Sequence, residues 1–179
     1  MKRLLALARL IDAFTDRFAS VAKWAILAAC AISTTNAVVR YSVSYSSNAL
    51  LEIQWYLFAV CVMFGAAQVL RVNEHVRVDI FYGMYPTRTK VLIDLAGLCL
   101  FLLPMTLFIA YSALPVLTKM ILSQEMSSNS GGLIRWPAML TIPLGMCLVA
   151  LQGVSEIIKR VGWLMHVHDM DTHYERPLQ

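Results

Sequence analysis

Charge is scarce in this chain. Asp, Glu, Lys and Arg make up 15% of it, against about 25% in a soluble domain. Hydrophobic residues reach 59%, above the ~45–50% of soluble proteins. Together these exclude an ordinary soluble domain and predict an integral membrane protein with little mass outside the bilayer. Histidine is missing from the long apolar runs: His75, His166, His168 and His173 all lie outside them, which argues against axial ligands for a membrane haem. There is no carboxylate pair deep in a run and no Gly-rich phosphate loop, which argues against acid–base or phosphoryl chemistry. The expectation is a protein that is not an enzyme and holds no cofactor or metal. The four cysteines, Cys30, Cys61, Cys99 and Cys147, fall one to each run. That is neither ligand spacing nor a disulfide framework, and packing is their expected role. The formal charge of +4 sits in short segments between runs, so it reports topology and not nucleic-acid binding.

What is present is four apolar runs. Ile53–Leu70, Leu95–Thr118 and Trp136–Ser155 carry no charged residue, and each meets or nearly meets the ~20 residues needed to cross a membrane. The first run, Trp24–Val39, is shorter, but Lys23 and Arg40 at its ends can snorkel outward. The sequence therefore predicts an all-α integral membrane protein, one membrane domain over 1–179. Its transmembrane helices are expected at about 21–43, 51–71, 91–115 and 136–158. Before them, Leu4, Leu7, Ile11, Phe14 and Phe18 recur at helical spacing, with Arg9, Asp12 and Asp16 on the other side. This predicts an amphipathic surface helix over 2–18; a cytosolic helix packed on another subunit is the alternative. Arg9 and Asp12 interrupt any secretory signal, so the segment is expected to be retained. Twelve Lys and Arg fall in the N-terminal segment, the loop after span two and the tail, against Arg40, Lys119 and Arg135 on the other side. Both termini are then cytoplasmic. Pro104 predicts a kink in span three, Pro115 a bend into an interfacial segment at 116–124, and Pro143 a kink in span four. Residues 161–179 form the expected cytoplasmic tail.

A few polar groups remain. Ser33, Thr34, Thr35 and Asn36 lie inside span one and are expected to bond to a neighbouring helix, with an ion site as the alternative. Asp94 follows Lys90 by four residues, so the two can pair. In the loop after span two, Asn73 and Arg77, and His75 and Asp79, are also four apart. That segment is either a docking or capping element or a solvated loop that sets topology. The tail His166–His173 is expected to be disordered, with weak metal binding as the alternative.

Taken together, several motifs carry a resemblance. Glu52-Ile-Gln54 opens span two, and Asn73-Glu-His75-Val-Arg77-Val-Asp79 follows it. Then come Glu125-Met-Ser127-Ser-Asn129-Ser-Gly131-Gly132, Trp136-Pro137 and Ile142-Pro143-Leu-Gly145. Over roughly Lys23 to Arg160 the chain resembles the small, Q-type membrane subunit of tripartite ATP-independent periplasmic transporters. The resemblance implies an auxiliary scaffold with four membrane helices and a surface helix. Its implied partners are a large multispanning M-type subunit, which moves as an elevator and holds the substrate and ion sites, and a periplasmic substrate-binding protein, contacted transiently. Membrane lipids surround them. Such systems import carboxylates and related organic acids, usually on a sodium gradient. The motif residues become candidates for interface or structural roles, with no substrate-binding residue expected on this chain. Two other functions stay open: a membrane anchor of an enzyme complex, and a small stand-alone transporter working as an oligomer.

Overall fold

In a computed structural model, which describes residues 1–45, 47–73 and 84–169, the apolar runs become long helices. They are α1 (Lys2–Val43), α2 (Asn48–Val72), α3 (Thr87–Gly97), a π-helical turn (Leu98–Leu102), α4 (Leu103–Ser123) and α5 (Trp136–Leu164). Among the described residues four helical stretches are long and apolar enough to cross a membrane: α1, α2, α3 through α4, and α5.

The expected surface helix at 2–18 and span at 21–43 are one element. No Gly or Pro occurs between Lys2 and Val43, so nothing breaks the backbone ladder. At 1.5 Å per residue its 42 residues run about 63 Å, roughly twice the ~30 Å hydrocarbon core. Small residues form most of the face that packs. Ala8, Ile11, Thr15, Ala19, Ala22, Ala25, Ala29 and Asn36 are buried, whereas Leu4 and Leu7 are each 47% exposed. Small side chains let helix backbones approach closely, which is how membrane helices associate when lipid already solvates the large apolar ones.

Pro104 acts one turn upstream. It has no N–H to give the Leu100 carbonyl, and its ring would strike that carbonyl. The chain answers with the π-helical turn, in which the Leu103 N–H reaches back to the Leu98 carbonyl. Helix α4 then passes through Pro115 to Ser123 and ends at Gln124 with φ 46°. The separate interfacial segment expected at 116–124 is therefore the last turns of α4. Trp136 and Pro137 open α5, and the helix continues through Pro143.

Helix α5 is the hub. Half of its apolar stretch is buried, against 6% for α2 and 11% for α3 through α4, and α1, α2 and α4 all pack on it. Gly145 makes the α2 contact possible. A Cβ there would lie 2.6 Å from the Met63 Cβ and 2.8 Å from the Met63 carbonyl oxygen. All four cysteines are free. Cys30, Cys99 and Cys147 face outward and only Cys61 is half-buried, so most of them pack against what surrounds the chain and not within it.

Candidate functional site

Glu52 lies in the second turn of α2 and is only 3% exposed. Taking a carboxylate out of water is costly unless donors surround it. Here three do, all from the loop between α4 and α5. Ser127 Oγ donates in a very short contact. Asn129 Nδ2 donates at 2.8 Å to the same oxygen, and the Leu133 N–H donates at 2.6 Å to the other. Donors alone face it, the pattern an ionised carboxylate accepts.

The loop is built for this clamp. Met126 and Ile134 form an antiparallel bridge. The Ser127 N–H donates to Leu133 O at 2.9 Å, and the Arg135 N–H to Glu125 O at 3.0 Å. Gly131 sits at φ +70°, a conformation that costs other residues strain. Gly132 has no room for a side chain: a Cβ would stand 2.6 Å from the Ser127 Cβ and 2.8 Å from Glu52 Oε1. At the loop's base Arg135 pairs with Glu125 at 2.6 Å, both partly exposed. Two more α2 side chains reach across. Asn48 Nδ2 donates to Ser130 O and Tyr56 Oη to Ile134 O, each at 2.9 Å. Asn48, Glu52 and Tyr56 are spaced by four, so one helix face holds the loop. That spacing is visible in the sequence, and Asn48 and Tyr56 are the residues that sequence reasoning missed. Beneath the clamp lies a cleft of about 570 Å³ between α2, α4 and α5.

The sequence-derived candidates divide accordingly. Glu52, Ser127, Asn129 and Gly132 meet, Glu125 and Gly131 shape the loop, and Trp136 and Pro137 start α5 beside it. Gln54 stands apart and donates to Leu50 O of its own helix at 3.0 Å. Asn73 is at the other end of α2, where φ 59° closes the helix and its N–H meets the Val69 and Leu70 carbonyls. His75, Arg77 and Asp79 lie outside the described residues. Ser33, Thr34 and Thr35 are exposed; Thr34 and Thr35 bond back to Cys30 O and Ala31 O of their own helix. Among that expected inter-helix group only Asn36 is buried.

A second polar cluster, unforeseen from sequence, ties the opposite end. Asp12, assigned by periodicity to an outward face, turns toward α5. It accepts from Ser155 Oγ at 2.7 Å, Gln152 Nε2 at 2.9 Å and Lys159 Nζ at 3.2 Å. Thr15 donates to Gln152 Oε1 at 2.8 Å. Within α5, Glu156 pairs with Lys159 and with Arg160, and Arg160 Nη2 meets Asp94 of α3 at 3.3 Å. Arg71 of α2 pairs with Asp16 of α1 at 2.6 Å. Gln152 and Ser155 are fully buried. Such buried networks add little net stability but penalise wrong arrangements, because any broken pair strands a charge. The four-residue spacing of Glu156 and Arg160 allows their pair, but nothing in the spacing gives their partners across the fold.

Comparison with known proteins gives one result. The family model "Tripartite ATP-independent periplasmic transporters, DctQ component" matches residues 29–162, from the middle of α1 to the last turn of α5. No curated protein matches the chain, and no solved structure does. With most of its length inside that match and four helical stretches able to cross a membrane, the chain belongs to the DctQ component family of these transporters and is a multi-pass protein of the bacterial inner membrane.

Proposed function

We propose that this chain is a scaffold subunit that performs no transport chemistry itself and enlarges the fixed part of a transporter whose large membrane subunit carries substrate and ion. The family supplies the setting: a large membrane subunit and a substrate-binding protein. One observation carries the scaffold reading. The buried charged groups at both ends of the bundle are engaged with the chain's own helices and loop, while α2, the π-helical turn and α4 offer long apolar faces outward, among them Phe58, Phe101, Phe108 and Tyr111. A body locked at both ends and greasy between them suits a static wall.

Finer features follow from that reading. Both termini are assigned to the cytoplasm by the Lys and Arg count, which makes the Glu52 clamp periplasmic. Exposed Leu7, Leu10 and Phe14 beside Arg3 and Arg17 suit the first half of α1 to the membrane's inner surface. Asn73, His75, Arg77 and Asp79 contact the large subunit or tie spans two and three, and the exposed Glu125 edge faces the incoming binding protein. The cargo is an organic acid and the driving gradient is sodium.

The test is purification of the tagged chain from native membranes in mild detergent, and separately its reconstitution alone. A large multispanning protein is expected to co-purify, and the chain alone is expected to give no uptake. Uptake by the chain alone sinks the scaffold reading. Joint truncation of His75, Arg77 and Asp79 that leaves co-purification unchanged removes that segment from the interface. Charge reversal at Glu125 that leaves uptake kinetics unchanged removes the docking role.

A further inference from the structure

We propose that the cleft beneath the Glu52 clamp is a seat for one phospholipid, with its phosphate at Arg135 and an acyl chain running down between α2 and α5. The inference rests on the membrane setting of the preceding reading but not on any partner.

The cleft has a polarity gradient along α2. Its upper rim is Glu52, Asn129 and Arg135, and its walls are Trp55, Ala59, Met63, Met139 and Ile142. From Glu52 to Met63 is eleven residues, about 16 Å of helix, close to half of the ~30 Å hydrocarbon core. A headgroup and one leaflet's depth of hydrocarbon match that order. Ala59 leaves the groove its width, and Met63, Met120 and Met139 give walls that adapt to a flexible chain. Trp55 is 65% exposed at the mouth, the depth at which indoles anchor to the interface. The rim also selects a headgroup. Glu52 is negative, and Arg135, the one cation of the lining, is paired with Glu125 beside it, a balance that disfavours a net anionic lipid. A zwitterionic headgroup sets its phosphate on Arg135 and its ammonium by Glu125.

The test uses the full chain with a single tryptophan. In one version Trp55 is kept and Trp24, Trp136 and Trp163 are changed to Phe. In the other only Trp24 is kept, exposed on the far helix α1. A zwitterionic phospholipid brominated in its acyl chains is titrated into each protein in detergent. Half-quenching of Trp55 is expected at about fivefold lower lipid mole fraction than for Trp24, a preference of about 1 kcal/mol. Ala59→Leu, which fills the groove, is expected to raise the Trp55 midpoint to that of Trp24. Equal midpoints for Trp55 and Trp24 in the unfilled proteins overturn the proposal, whether or not the filled variant folds. An anionic lipid with the same chains quenching at lower mole fraction overturns the headgroup assignment. Loss of the Trp55 preference once the large subunit is bound assigns the cleft to that partner and also overturns it. None of these results bears on the pull-down, so this proposal and the scaffold reading fail separately.

Discussion

The Leu133 backbone N–H donates at 2.6 Å to a carboxylate oxygen of Glu52, eighty-one residues earlier in the chain. This bond fixes the α4–α5 loop to α2. Glu52→Gln keeps the shape, but turns one acceptor into a donor facing donors. The expected result is a weakened clamp and a lower melt of the purified chain; an unchanged melt removes the clamp from the stability of the fold.

Gly131 and Gly132 are adjacent, yet Ala should act differently at each. At Gly131 a Cβ meets nothing within 4 Å, so the cost is the left-handed backbone, about 1–2 kcal/mol. At Gly132 it meets Ser127 and Glu52, so Gly132→Ala displaces the clamp as well. Gly132→Ala should be the more destabilising, and its effect should not add to that of Glu52→Gln. Additive losses in that double-mutant cycle contradict the geometry.

Gly145→Ala should destabilise by about 1–3 kcal/mol through overpacking. The obstacle includes the Met63 carbonyl, so Met63→Ala in the same chain should not restore the melt. Met63→Ala keeps both the Cβ and the carbonyl, so full rescue means that side-chain atoms beyond the Cβ make the contact.

Asp12→Ala removes the α1 acceptor shared by Ser155, Gln152 and Lys159, and leaves Gln152 and Lys159 with Glu156 of their own helix. The expected cost is about 1–3 kcal/mol, felt first where α1 docks on the end of α5. Limited proteolysis should then cut the first fifteen residues faster while the α2–α5 contacts keep their protection. Equal cleavage in wild type and variant counts against the anchor.

The helices were legible because hydropathy over twenty residues dominates every other signal in a membrane chain. The first helix is only partly legible. Leu7 and Phe14 mark its apolar face, but spacing does not reveal that the alanines carry the contact with the other helices. Its polar residues Asp12 and Asp16 were read as solvated, because their partners lie up to 147 residues away. The clamp was half legible. Glu52, Ser127, Asn129 and Gly132 stood out as motif residues, but only folding shows that they are parts of one contact. Asn73 belongs to a segment read as a docking or capping element, and its left-handed backbone closes α2.

Helix α1 has one more consequence. Forty-two residues without a glycine or proline form a stiff rod, seated against α5 near its start and against α2 along its middle. A rod held at two places cannot swing at one end while the rest stays still. A probe at Lys2 therefore rotates with Ala22 and Ala29, and its orientation reports the tilt of the bundle's interior from a position that touches none of it.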